Sequence, residues 1–372
     1  GTATGFGITA TSFRPNVNPL IINGDMAISQ RLTSLASVTS GANFVTDRYS
    51  FNAGTVGTWT LTQEALTADE AYEDGFSTAF KADNTTANAS LSAGSYIQFS
   101  QKIEAQDLQL LKSGESTAEK VTIAFWVKAT KTGTNIIEIW VSDNSRAISV
   151  AYTIDTTNTW EKKIIDIPAD TAGTGIDNNN AAGWTVIWWM AAGTDSSSGT
   201  LRTAWASNSV SANRAVGQVN NADSTSNNFH ITGVQLEVGE YTSSTIPPFQ
   251  HESYGDNLVR CQRYFQKLTN AESGKGISMT RYWSSTAAGG VFNLPTTMRA
   301  NPSAAYENGT SYWQISGGTG STNDPFDTII NNDTSLQTAG WYSDSSATGT
   351  AGFAGLLMTN SSSAEAYFSS EL

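Results

Sequence analysis

The sequence predicts an all-β fold class: a jelly-roll β-sandwich, then a short linking helix, then a second, smaller β-sandwich-like domain. Three observations carry that expectation. Composition favours strands and turns, with 32 Gly, abundant Ser, Thr and Asn between apolar runs, and few helix formers. Several segments alternate apolar and polar residues with the period of two that a half-buried strand requires. One stretch, after Ser253, shows helical spacing instead.

A chain of 372 residues is long for one domain, so two or three are expected. Residues 1–18 are Gly/Thr-rich without helical period and read as an extended N-terminal arm or attachment segment, stable only against another surface. Residues 19–250 form the jelly-roll domain. Within it Leu20, Ile21 and Ile22 predict a short strand and Asn23-Gly24 a turn. In VTIAFWVKAT, Val121, Ile123, Phe125 and Val127 share one face; Ile137, Ile139 and Val141 do so in NIIEIWVSD. Ile148, Val150, Tyr152 and Ile154 follow the same pattern, and WEKKIIDIP is the next strand. WTVIWWMAAG is apolar on both faces, which predicts a central strand or a covered outer face. Strand ITGVQLEVG closes a core of two packed sheets. Two long polar loops, TAGTGIDNNNAAG and SNSVSANRAVGQVNNADSTSNN, are of a length that usually serves function or an interface.

Residues 251–269 are the linker helix: Ser253 and Asp256 are spaced as a capping box, and Leu258, Cys261, Phe265 and Leu268 form one apolar stripe. Residues 270–372 form the distal C-terminal β domain, with short strands in GISMTRYW, GGVFNLPTTM, SYWQISGG, AGFAGLLMT and AEAYFSSEL. Pro295 and Pro302 confine the segment between them to a loop or edge. No fixed-period repeat supports a β-helix or propeller.

Charged residues are only 14% of the chain, so its surface is largely neutral-polar, as suits an extracellular or virion protein. Net charge is −13 and no Lys/Arg cluster occurs, which argues against nucleic acid and against an anionic membrane surface. The single cysteine, Cys261, excludes an internal disulfide framework and reads as a small buried hydrophobe. No apolar run is long enough to span a membrane. The chain opens on Gly, as a processed or truncated start would.

The ordered elements NPLIINGDMAISQR, VTDRYSF, QKIE at 101–104, VTIAFWVKA, NTWEKK and VQLEVG…PFQHESYGDNLVRCQRYFQKL form a further pattern, joined by NLPTTMRANPS and AEAYFSSEL. Together they resemble bacteriophage tail-fibre and receptor-binding proteins. In those, a jelly-roll domain like a carbohydrate-binding module closes with a VQLE-type strand and a CQRY helix. The resemblance covers nearly the whole chain from residue 18. It implies a homotrimeric virion appendage, mounted on other virion proteins through the N-terminal arm, whose distal β domains contact host-surface glycans. The long shaft and attachment region of such fibres has no counterpart here beyond residues 1–18. Tail fibre, short spike and head-mounted fibre therefore all stay open.

The supply of catalytic groups is thin. His230 and His251 are the two histidines, neither in a metal-ligand spacing, and no Gly-x-Ser-x-Gly elbow precedes a helix. Glycoside cleavage needs only two carboxylates, and Asp143, Asp155, Asp177, Asp195, Asp324 and Asp327 lie in loops or at strand ends. Turn aspartates usually serve local hydrogen bonds, so the expectation is a protein that is not an enzyme. Binding is better supplied, with 11 Trp and 12 Tyr in a weakly charged chain. Candidate glycan contacts are Trp205, in the polar loop LRTAWASNS, and the pairs around Trp283, Tyr312-Trp313 and Trp341-Tyr342. Neighbours in a strand face opposite ways, so one member of each pair can point outward. Trp126, Trp160, Trp184 and Trp188 are assigned to the interior or a subunit seam. No cofactor is expected beyond a structural Ca²⁺, for which Asp25, Asp69 and Asp74 are the candidate ligands.

Overall fold

A computed structural model describes residues 19–269, 272–317 and 323–372, so the expected arm at 1–18 lies outside the described residues. The protein is all-β. It divides into two compact units, 1–252 and 253–372. The segment expected as a linker, 251–269, is thereby split, with its helix in the second unit.

The first unit contains β1 (Ser34–Asn43), β2 (Tyr49–Ala65), α1 (Asp69–Glu73), β3 (Thr78–Thr86), β4 (Tyr96–Glu104), β5 (Val121–Ala129) and β6 (Gly133–Val141). It continues with β7 (Arg146–Ile154), β8 (Glu161–Ile167), β9 (Ala182–Ala192), α2 (Thr194–Ser197), β10 (Ala206–Ser207) and β11 (Asn228–Val238). The strands run in the order β10-β7-β6-β9-β4-β2-β3-β11-β5-β8, with β1 beside β2, and every pairing is antiparallel.

Strand β2 explains how one ladder makes two layers. Its first part, Tyr49–Gly54, pairs with β4, and its second, Thr58–Ala65, pairs with β3. Between them Thr55 and Gly57 take positive φ, and a Cβ on Gly57 would stand 1.9 Å from the Thr86 carbonyl oxygen. Only glycine fits that corner. The arms then face each other across an aromatic core. Phe80 of β3 stacks on Phe99 of β4 at 4.3 Å, and Phe125 of β5 meets Trp188 of β9 at 5.7 Å and Tyr152 of β7 at 5.3 Å.

The outer face of β9 is covered, which is one of the two readings its two-sided apolarity left open. Ile187 and Trp189 are buried there together with Ile136 and Ala215, under the polar 201–218 segment. Glu138, fully buried, pins that segment. It accepts the Arg214 guanidinium at 2.9–3.1 Å and the Trp189 indole N–H at 3.1 Å, with Arg202 at 3.6 Å. One expectation fails nearby: Leu20–Ile22 is not a strand. The Gln101 side chain instead bonds both the amide and the carbonyl of Ile22, at 2.9 and 2.8 Å, so no ladder partner is needed.

The second unit opens with α3 (Tyr254–Gln262), capped by Ser253, whose hydroxyl accepts the Asp256 amide at 3.2 Å. The expected apolar stripe is shorter than its spacing suggests. Phe265 lies in β12 (Phe265–Lys267), which leaves the helix to pair with β21 (Ala366–Ser369). Between them come β13 (Gly276–Tyr282), β14 (Ala288–Asn293), β15 (Ser303–Tyr306), β16 (Trp313–Ser316), β17 (Asp324–Phe326), β18 (Ile329–Thr334), β19 (Thr338–Ser343) and β20 (Ala354–Thr359). A seven-stranded sheet, β17-β16-β20-β13-β14-β19-β18, packs on a three-stranded one, β12-β21-β15. Phe292 joins them, lying 5.9 Å from both Trp341 and Phe368.

Candidate functional site

Each unit places an aromatic ring on a glycine in the outer face of a sheet. In the second unit the hairpin β13–β14 sets Arg281 opposite Gly289, and β19 sets Tyr342 on the other side of Gly289. These three positions share one face, because cross-strand partners point the same way. Trp283 follows the end of β13 and folds its indole over Gly289: a Cβ there would meet the ring at 2.7 Å. The ring is 47% exposed and lies 6.4 Å from that of Tyr342, at 32° between planes. Met279, opposite Leu356, and Val291, opposite Gly340, leave further exposed apolar surface on the same sheet.

The opposite parity of these strands points inward. Trp341 and Trp313 are fully buried, the first donating its indole N–H to Ser278 Oγ at 3.2 Å, the second to Asn308 Oδ1 at 2.9 Å. Neither can touch a ligand, so both leave the candidate set. Tyr282 is likewise internal, its hydroxyl donating to Asp324 at 2.6 Å; burial and that carboxylate push its pKa upward. Tyr312 is half-buried with its ring against Gly309. Of the residues named from sequence, Trp283 and Tyr342 are brought together.

Trp205 is in the first unit and is clamped there. Its indole N–H donates to the Pro168 carbonyl at 2.6 Å, its own carbonyl accepts from Arg146 at 3.2 Å, and its ring is 5.8 Å from Trp184. Arg146 in turn grips Asp170 at 2.7–3.0 Å. These contacts make Trp205 a half-buried latch of the β7 edge, not a free platform.

The first unit carries its own ring-on-glycine, missed from sequence. Register aligns Ser50 with Ser100, Asn52 with Gln98 and Gly54 with Tyr96, all on the outward face of β2 and β4. The Tyr96 ring covers Gly54, where a Cβ would stand 2.7 Å from it, and the Tyr96 hydroxyl is 3.5 Å from Asn52 Oδ1. All six positions are half-buried. The result is a flat ring edged by amides and hydroxyls. The signal was in the alternation of YSFNAG and YIQFSQ, whose apolar positions feed the core.

The aspartates considered for Ca²⁺ are not gathered. Asp69 pairs with Lys128 at 3.6 Å; Asp74 holds Lys162 at 3.1 Å and the Trp126 indole N–H at 2.9 Å. Asp25 instead accepts the Ala27 amide at 3.4 Å. Lysines already neutralise two of the three carboxylates. Among the described residues no group of three or more His, Cys, Asp or Glu side chains could hold a metal. Both histidines are packed: His230, 5% exposed in its side chain, bonds Glu64 at 2.7 Å, and the His251 ring rests against Phe76 and Phe249.

No protein-family model and no curated protein sequence matches the chain. Solved structures do show likeness. One is the enzymatically active domain of tailspike protein 4 of bacteriophage CBA120, at 15% identity and a TM-score of 0.29, over 59% of this chain and 21% of that one. The match therefore spans about a fifth of the tailspike domain's length. Another is the family 11 carbohydrate-binding module of Clostridium thermocellum, solved with a β-1,3-1,4-mixed-linked tetrasaccharide, at 10% identity and 0.24, over 56% of this chain and 96% of that one. A CBM4 structure matches at 12% and 0.25, over 58% of this chain and 97% of that one. At these scores no residue-by-residue correspondence holds.

Proposed function

We propose that this chain is a non-catalytic glycan-binding protein of a bacteriophage fibre or spike. It recognises the host surface as a homotrimer and attaches to other virion proteins through residues 1–18. The observation that carries the reading is Trp283, an indole nearly half exposed yet held over Gly289 beside Tyr342. Sugars present apolar C–H faces, and a ring immobilised before binding stacks on them with little further loss of entropy. Tyr96, with Asn52 and Gln98, supplies the same chemistry plus hydrogen-bonding rims in the other unit. Each site is small and weak; three copies per particle component would raise avidity by about 10²–10⁴.

A glycan array probed with the whole protein tests this. Saccharides should bind, and Trp283→Ala and Tyr96→Ala should each remove part of the signal. Binding to no saccharide at all would reject the reading. A second reading has one observation in its favour. Met279, 70% exposed, with Val291 and Leu356 forms an apolar sheet face that suits packing against another virion protein. In that case sedimentation would show assembly lost in Met279→Asp while no sugar binds.

A further inference from the structure

Arg281 stands out among the cations. Every other Lys or Arg of the described residues has a partner, in ion pairs such as Lys81–Asp83, Lys112–Glu119 and Lys275–Glu272, or in bonds to carbonyls as at Arg48 and Arg299. Arg281 alone makes no side-chain ion pair, hydrogen bond or ring contact, in a chain where 33 acids face 20 bases. Its place sharpens the point. β13 is the middle strand of the seven, and the residues opposite Arg281 are Ala354 on one side and Gly289 on the other. Neither cross-strand partner carries a side chain larger than a methyl group, while two residues on, the Trp283 ring lies over that same Gly289. Edge protection, a common reason for a charge on a sheet, does not apply to a central strand.

We propose that the saccharide taken at Trp283 and Tyr342 is anionic, and that Arg281 binds its carboxylate or phosphate while the rings hold its apolar face. This rests on the glycan-binding reading above. A guanidinium fork matches either anion with two parallel charge-assisted hydrogen bonds, and it is weakly hydrated, so desolvating it costs less than for lysine. The chain's net charge of −13 repels anions at long range, so selection falls to this one contact, not to the overall field.

The test uses the full chain on an array of neutral, uronic- or sialic-acid-bearing, and phosphorylated oligosaccharides. Each carboxylated hit is then titrated against its carboxyl-reduced form, and each phosphorylated hit against its dephosphorylated form. The anionic form should bind ~10-fold or more tightly, and raised salt should narrow the gap. Arg281→Gln should bring the anionic form down to the neutral form's affinity with the melting temperature unchanged. Arg281→Lys should keep part of the preference. Carboxylated or phosphorylated hits identify which anion is read. If neutral and anionic forms bind the wild type equally while Trp283→Ala weakens both alike, the anion proposal is wrong and the platform stands. If no saccharide binds, both fall together.

Discussion

At the scale of single residues, the two neighbours of a strand pair do opposite work, and substitution separates them. Trp341 fills the core between Phe292 and Phe326, whereas Trp283 rests on the outer face. Trp341→Ala should cost about 3–5 kcal/mol, the range for emptying a buried aromatic site. Trp283→Ala should change stability by about 0.5 kcal/mol or less while removing the second unit's share of saccharide binding. Urea unfolding of the two variants compares them directly; equal losses would contradict the assignment of faces.

Also at this scale, the His230–Glu64 pair sets a pH response. Burial holds His230 below its ordinary value of 6.5, against the pull of Glu64, so in the native state it stays neutral where the unfolded chain takes up a proton. Its hydrogen bond holds Glu64 below 4.5, outweighing burial. Both native pKa values lie beneath the unfolded ones, so in each window the unfolded state binds more protons and stability falls as pH falls. The loss begins below about 6.5 from His230 and grows below about 4.5 from Glu64. Glu237, pushed by burial up to about 7, works the other way as pH falls through that range, so the His230 share is read by difference. His230→Gln should raise the urea midpoint at pH 5.5, relative to that at pH 7.5, compared with the wild type.

At the scale of elements, the 201–218 segment shows how a polar loop becomes part of the structure. Glu138 sits beneath it with Arg214 and Arg202 as partners, and the Arg214 guanidinium also lies over Trp140 and Trp189, at 4.5 and 4.9 Å. Glu138→Ala leaves two cations facing an emptied buried site. It should destabilise the first unit by about 3–5 kcal/mol, with the loop becoming the first site of proteolytic cleavage. A variant whose loop stays resistant would show that apolar contacts from Leu201 and Ala215 suffice.

The same loop shows where sequence reading succeeds and stops. Alternation gave β5, β6, β7, β9 and β11, because burial of one face writes a period of two directly into the residues. For β9 it left two readings open, a central strand or a covered outer face. It could not say what the cover was, since Arg214 and Glu138 are 76 positions apart. Helical spacing likewise ran on from Cys261 to Phe265, but pairing of β12 with β21, about a hundred residues later, ended the helix. Strands β15 and β17 are only four and three residues long, and β18 and β19 interrupt their apolar residues with Asn, Gly or Ser, so no periodic signal marks them. For the candidate site, sequence named Trp283 and Tyr342 as aromatic, yet Gly289 only opens the expected strand GGVFNLPTTM and nothing marks it as lying between them. Its role as a floor follows only from register.

At the scale of the whole molecule, the chain is two separately cored units, and that predicts how it melts. One core runs through Phe51, Phe80, Phe99, Phe125 and Trp188; the other through Tyr282, Phe292, Trp313, Trp341 and Phe368. No residue belongs to both, and a core of its own is what lets a unit unfold cooperatively by itself. Calorimetry of the full chain should therefore resolve two transitions. Trp188→Ala should lower one and Trp341→Ala the other, each by about 3–5 kcal/mol of its own unit's stability. A saccharide held at Trp283 should raise the transition that Trp341→Ala lowers, because a ligand stabilises only the unit whose native form it binds. If both variants shifted a single common transition, the units would be folding as one.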